Sequence, residues 1–215
     1  MNIAALDLCL VTQINNQSID DYLQFIELTV KGGVTLVQLR DKVNPLSKIR
    51  PLALALKSLL ARLHIPFIIN DYVTLALEID ADGVHLGQSD MPPEQARRLL
   101  GPTKIIGYSV ESYAELTHAN QLNCIDYIAA SAVFPSQTKT DCKTIWNLEG
   151  LRQLATLSKH PVLAIGGINV HNVMQVIRHG ACGVAVVSAL HEQVNPFIVA
   201  KELIRNIYKV KFNAV

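Results

Sequence analysis

Two aspartates each follow a short apolar run in this chain. Asp71 comes directly after a run that ends at Asn70, and Asp90 comes shortly after the next run, which ends at Gly87. Two carboxylates without nitrogen or sulfur partners suit a hard cation, and Mg²⁺ typically binds one or two carboxylates together with substrate phosphates. Asp71 would serve equally well as a helix N-cap, and Asp90 as the start of a turn. The pair predicts a Mg²⁺ site, with a structural role left open for each residue alone.

Three cationic side chains occupy similar positions. Arg40 and Lys42 follow the apolar run 36–40, and Lys139 lies in a long polar segment. An arginine grips phosphate oxygens with a planar fork, whereas a lysine acts as a point charge. Each alone is also the kind of solvated charge found on any protein surface. Together, beside two carboxylates, they predict a site for a Mg²⁺-diphosphate.

A second anion site is indicated by glycines late in the chain. Gly166-Gly167 follows one apolar run, and Val187-Ser188 ends another. In α/β barrels, backbone N–H groups at such positions often bind a phosphate, and glycine lets the backbone approach the anion closely. A Gly-Gly pair also makes tight turns. The segment therefore predicts a monophosphate cradle that needs no metal.

Uncharged polar residues complete the set and can orient a heterocycle or phosphate by hydrogen bonds. They are Gln38, Asn70, Ser109, Ser136 and Thr138. His85 stands between Val84 and Leu86 and is interpreted as a packed histidine rather than a base. The histidines form no HExxH or HxH pair, so a zinc site is not expected.

Eight apolar runs, rich in Val, Ile and Leu, alternate with helical stretches. The predicted strands are residues 6–12, 36–40, 66–70, 83–87, 104–110, 127–131, 161–166 and 183–188. The predicted helices are residues 19–31, 45–63, 72–79, 92–100, 112–121, 148–159, 170–179 and 196–210. This order predicts a (β/α)8 TIM barrel with residues 1–215 as a single domain, and a doubly wound open sheet is the rival. A barrel would gather the residues above at one rim, where barrel enzymes do their chemistry.

The predicted connection 132–147 is long and polar, and it carries Gln137, Thr138 and Lys139. Connections of this length without an element of their own are often lids or binding loops.

Composition excludes several classes of protein. The formal charge of +1 gives no electrostatic reason to expect nucleic acid or an acidic membrane as a partner. The longest apolar stretches fall far short of the roughly 20 residues of a membrane span, and no signal peptide is recognisable. The four cysteines form no CxxC pair, which is typical of reduced thiols and predicts a cytoplasmic protein. A homo-oligomer is left open.

Several long motifs resemble the thiamine phosphate synthase family. They are residues 32–42, 66–71, 81–92, 133–139 and 164–168, within a match from about Leu8 to Leu190. The family joins hydroxymethylpyrimidine diphosphate to a thiazole phosphate, giving thiamine phosphate and diphosphate. The resemblance implies that Asp71 and Asp90 hold Mg²⁺. It also implies that phosphorylated small molecules are the partners.

The resemblance further implies the substrate contacts. Those to the pyrimidine diphosphate are Arg40, Lys42, Asn70, Ser109 and Lys139, with Gln38 near the ring and Leu39 and Asp41 in the same motif. Those to the thiazole phosphate are Ser136, Thr138, Gly167, Val187 and Ser188, with Gln137 between the first two.

The chain departs from the usual family pattern at three places, residues 129–132, Glu111-Ser112 and Asn147. These differences concern rate and loop geometry more than identity. A related thiazole tautomerase carries a histidine where Ala132 stands, which favours the synthase. Two other hypotheses are a barrel that binds thiamine precursors without turnover and a sugar-phosphate epimerase. The lack of an evident acid/base pair argues against the epimerase.

Overall fold

The eight predicted strands pair in sequence order into a closed parallel barrel, with β1 next to β8. This computed structural model describes residues 3–15, 17–136 and 142–212. The strands are β1 Leu8–Val11, β2 Leu36–Leu39, β3 Phe67–Asn70, β4 Gly83–Leu86, β5 Ile105–Val110, β6 Tyr127–Ser131, β7 Val162–Ile165 and β8 Gly183–Val186. The (β/α)8 barrel prediction is confirmed, and the doubly wound sheet is wrong.

Helices follow the strands and cover the barrel. They are α1 Ile19–Gly32, α2 Leu46–Arg62, α3 Val73–Glu78, α4 Pro93–Leu100, α5 Tyr113–Ala119, α6 Asn147–Leu157, α7 Val173–Arg178, α8 Ser188–His191 and α9 Pro196–Phe212. Within the described residues, none of these helices is long and apolar enough to cross a membrane.

Successive residues of a strand enter two different cores because side chains alternate between its faces. In β1, Leu8 and Leu10 pack in the large cluster shared with the helices. Cys9 and Val11 pack in a smaller cluster with Leu36 and other strand residues, which fills the barrel interior. Both faces are therefore buried, which explains why the strands read as continuous apolar runs.

Two predicted strand boundaries differ from the structure by two residues, and the others by at most one. Ile3–Leu6 forms a 3₁₀ helix, so the first strand begins at Leu8 rather than at residue 6. The last strand ends at Val186, and the short helix α8 begins at Ser188. The carbonyl oxygen of Val187 accepts the backbone N–H groups of Leu190 and His191, at 3.1 Å each, and this turn stops the strand.

The end of α9 meets the start of β1 at the amino-terminal side of the barrel. Lys211 of α9 pairs with the buried carboxylate of Asp7 and donates to the carbonyl oxygen of Cys182. These contacts tie α9 to the segments that lead into β1 and β8.

Candidate active site

A cavity of about 570 Å³ opens among the carboxyl ends of the strands. It is lined by predicted site residues from β2 to β5 and their loops, namely Gln38, Arg40, Lys42, Asn70, Asp71, Asp90 and Ser109. Parallel strands end at the same rim, so residues far apart in sequence come together here. The predicted residues Leu39 and Asp41 point elsewhere: Leu39 packs in the helix-facing core, and the Asp41 carboxylate accepts the N–H groups of Val43 and Asn44.

Asp71 is held by its neighbours at the cavity wall. It has a positive φ of 73°, which a short polar residue tolerates better than most. Its Oδ1 accepts a hydrogen bond of 2.6 Å from Asn70, and its Oδ2 pairs with Lys42. Gln38 in turn donates to Asn70 Oδ1 at 2.7 Å. This chain of donors from Gln38 to Asp71 fixes the direction in which the carboxylate faces.

Asp90 lines the same cavity, and its Oδ2 accepts the N–H of Gly87 at 2.6 Å. The described residues hold no group of three or more histidines, cysteines or carboxylates that would bind a metal by themselves. Two carboxylates that line one cavity together with Asn70 match the oxygen ligands of Mg²⁺, which completes its shell with water and phosphate oxygens. The residues present therefore fit Mg²⁺ bound together with a phosphorylated ligand.

His85 is buried, as interpreted from the sequence, but it also lines the cavity. Its Nδ1 lies 3.0 Å from the hydroxyl of Tyr127, and its Nε2 lies 2.9 Å from Ser109 Oγ. Sequence reasoning missed Tyr127 entirely, because an apolar neighbourhood gives no sign of a phenol that reaches across the barrel.

Glu111 and Lys143 are two further cavity residues that the sequence did not single out as functional. Glu111 Oε2 accepts the backbone N–H of Lys143 at 3.2 Å. The Lys143 ammonium pairs with Glu115 at 2.7 Å, and this hydrogen bond raises the pKa of Lys143. These contacts join the end of β5 and the first turn of α5 to the part of the 132–147 connection that precedes α6.

A second, smaller cavity of about 70 Å³ adjoins the first and shares Arg40 with it. Four of the residues predicted for the monophosphate cradle line it, namely Ser136, Gly167, Val187 and Ser188. The other predicted residues of this segment, Gln137, Thr138 and Lys139, lie outside the described residues.

Gly167 adopts φ = 63° in the wall of the smaller cavity. A Cβ there would lie 2.7 Å from both Phe134 Cβ and the carbonyl oxygen of Pro135. Only glycine fits this position without displacing the segment that leads to Ser136.

A closed (β/α)8 barrel with two adjoining cavities among the carboxyl ends of its strands has the architecture of a barrel enzyme, because enzymes of this fold carry their active sites at that rim. A family model described as "Thiamine monophosphate synthase" matches residues 8–190. The chain belongs to this family, and it is a transferase.

Similar curated proteins carry the same description. A thiamine-phosphate synthase from Chlamydia abortus is 43% identical over 196 residues, which cover 91% of this chain and 92% of that protein. One from Vibrio campbellii is 44% identical over 189 residues, covering 88% and 92%.

Solved structures agree with the family. A thiamine phosphate pyrophosphorylase from Pyrococcus furiosus superposes with a TM-score of 0.86 at 34% identity, covering 97% of this chain and 98% of that one. A 3-hexulose-6-phosphate synthase from Salmonella typhimurium, at TM-score 0.72 and 16% identity, shares the fold alone.

Proposed function

We propose that this protein condenses 4-amino-2-methyl-5-hydroxymethylpyrimidine diphosphate with 4-methyl-5-(2-phosphoethyl)thiazole to give thiamine phosphate and diphosphate. The observation that carries this proposal is the pair of adjoining cavities that share Arg40. One has the carboxylates and cations that a metal-bound diphosphate needs, and the other has the glycine-lined wall that suits a monophosphate. Two phosphorylated substrates with their reacting atoms facing each other would fill both.

The larger cavity would bind the pyrimidine diphosphate. Arg40 and Lys42 would contact its phosphate oxygens, with Lys139 added from the connection. Asp71 and Asp90 would hold Mg²⁺, which when bound neutralises charge on the departing diphosphate. Because Lys42 pairs with Asp71, its ammonium lies beside a proposed metal ligand. The ammonium and the metal would therefore act on the same anion.

The reaction needs charge stabilisation and positioning rather than a protein nucleophile. The electron-rich aminopyrimidine supports a cation at its exocyclic carbon once the carbon–oxygen bond breaks and its electron pair leaves with diphosphate. The thiazole nitrogen then donates its lone pair to that carbon and forms the new bond. Arg40 and Ser109 stabilise the leaving anion, and the smaller cavity holds the thiazole phosphate so that the nitrogen lies in line.

The smaller cavity would take the thiazole phosphate through Ser136, Gly167, Val187 and Ser188. Thr138, which the resemblance assigns to the thiazole phosphate, and its neighbour Gln137 complete the proposed contacts.

The direct test is diphosphate release from the two substrates with and without Mg²⁺. No product with either Mg²⁺ or Mn²⁺ would count against the proposal. Asp71→Asn and Lys139→Ala are each expected to lower turnover at least about tenfold, the first because it weakens the proposed Mg²⁺ site and the second because it removes a proposed cationic contact to the leaving anion. Asp20→Asn, an exposed change in the first turn of α1, is the matched control and should leave turnover unchanged.

Tight binding of the pyrimidine diphosphate without turnover would instead support a barrel that binds thiamine precursors. Calorimetric titration with and without Mg²⁺ distinguishes this outcome from simple inactivity.

We also propose a cytoplasmic location. All four cysteines are free thiols in the structure, as expected for a reducing compartment.

A further inference from the structure

A row of three residues crosses the inside of the barrel below the larger cavity. In the strand register, His85 of β4 pairs with Gly107 of β5, and Gly107 pairs with Tyr127 of β6. A Cβ at position 107 would fall on the phenol ring of Tyr127. The missing side chain therefore lets the ring of Tyr127 pass over β5 and bring its hydroxyl to His85 on the far side.

The hydroxyl of Tyr127 has a defined role in this contact. The side chain is fully buried, and burial raises the pKa of the phenol well above its ordinary value, so it keeps its proton. A buried O–H must donate to an acceptor, and His85 Nδ1 at 3.0 Å is the acceptor that the described residues provide. Nδ1 therefore carries no proton.

The tautomer of His85 follows from this donor. A neutral imidazole with an unprotonated Nδ1 has its proton on Nε2. Nε2 lies 2.9 Å from Ser109 Oγ, so the ring donates to the serine oxygen. Ser109 lies two residues beyond Gly107 on β5, so both face the barrel interior, and Ser109 reaches the cavity wall.

We infer that Tyr127 is a positioning residue that acts through His85 to turn the Ser109 hydroxyl proton into the cavity, toward the leaving diphosphate. The opposite tautomer would make Ser109 donate to His85 and present only lone pairs to an anion. This relay, the chain of hydrogen bonds from Tyr127 through His85 to Ser109, thus makes the serine hydroxyl a fixed donor. It also polarises that donor, because each hydrogen bond strengthens the next. This inference rests on the proposed function for the identity of the anion, and on the geometry alone for the tautomer.

Tyr127→Phe tests the relay because it removes the hydroxyl and keeps the ring that packs beside Gly107. We expect kcat to fall about tenfold, the cost of weakening one hydrogen bond to a charged group. The KM for the thiazole phosphate should stay within about twofold, since that substrate occupies the other cavity. Tyr113→Phe is the matched control: its hydroxyl bonds to Gln153 on the surface at 2.8 Å, and both constants should be unchanged.

A double-mutant cycle separates the relay from a general loosening of the barrel. In a Ser109→Ala background, Tyr127→Phe should cost no more than about twofold in kcat, because the group it orients is gone. A full tenfold loss in that background would overturn the inference, and so would an unchanged kcat in Tyr127→Phe alone.

The tautomer is measured independently by long-range ¹H–¹⁵N correlation of the histidine rings in the unmodified protein. We expect the His85 ring with its proton on Nε2, and a proton on Nδ1 would overturn the inference. This measurement uses the unmodified protein, so it needs neither turnover nor a variant that folds. If the unmodified protein releases no diphosphate, the proposed function fails. The relay is then decided by the spectrum and by the affinity for inorganic diphosphate in the presence of Mg²⁺. About tenfold weaker binding in Tyr127→Phe supports the relay, and equal binding refutes it.

Discussion

The Gly167→Ala substitution tests the monophosphate cradle most sharply. The new Cβ would lie 2.7 Å from Phe134 Cβ and from the Pro135 carbonyl oxygen. That is roughly 0.7 Å or more inside an ordinary contact, so one of the two cradle segments must move. A movement of this size removes about one hydrogen bond to the phosphate, worth about 1.5–3 kcal/mol, and so raises the KM for the thiazole phosphate about ten- to a hundredfold.

The control for this substitution is Gly101→Ala at the end of α4. Gly101 also has a positive φ, of 80°, but a Cβ there meets nothing within 4 Å. Both variants therefore carry a backbone strain of about 1–3 kcal/mol, and only Gly167→Ala disturbs the cradle. Steady-state kinetics and urea unfolding of both proteins separate the two effects. An equal KM in the two variants would refute the assignment of the small cavity to the phosphate.

Two further predictions concern stability. Burial lowers the pKa of His191 below its ordinary value, so the unfolded chain takes up the proton first as pH falls. The contribution of His191 to the free energy of unfolding is therefore fully present above about pH 6.5 and is lost as the pH falls below it. Urea unfolding at several pH values should show that His191→Gln weakens this dependence of the unfolding free energy on pH and that the exposed His171→Gln does not, and an equal dependence in the two variants would contradict the reasoning. Arg97 donates to three backbone carbonyl oxygens and to Asp126, so Arg97→Met should cost about 2–4 kcal/mol of unfolding free energy. The neighbouring exposed Arg98→Met should cost less than about 0.5 kcal/mol by the same assay, and similar losses would show that those bonds contribute little.

The sequence predicted the gathering of distant site residues because of one regularity. Parallel strands of a barrel end at one rim, so a polar residue that directly follows an apolar run lies at that rim, and this holds without knowing which residues it contacts. Arg40, Asp71 and Asp90 were found this way, and they line one cavity.

Residues whose position depends on register across several strands could not be found from the sequence. Tyr127 reaches His85 only because Gly107 lies between them in the same row, and no local pattern encodes that row. The contact of Glu111 with Lys143 likewise joins segments about thirty residues apart, and α8 arises from a turn at Val187 inside an apolar run.

Closure of the barrel has a consequence for synthesis of the chain. β1 leaves the ribosome before the other seven strands, yet one of its two neighbours in the barrel, β8, is the last strand of the eight to be made. One edge of β1 therefore carries unpaired backbone groups until β8 has emerged, and such edges invite association with other chains. The ring of strands closes only when β8 reaches β1.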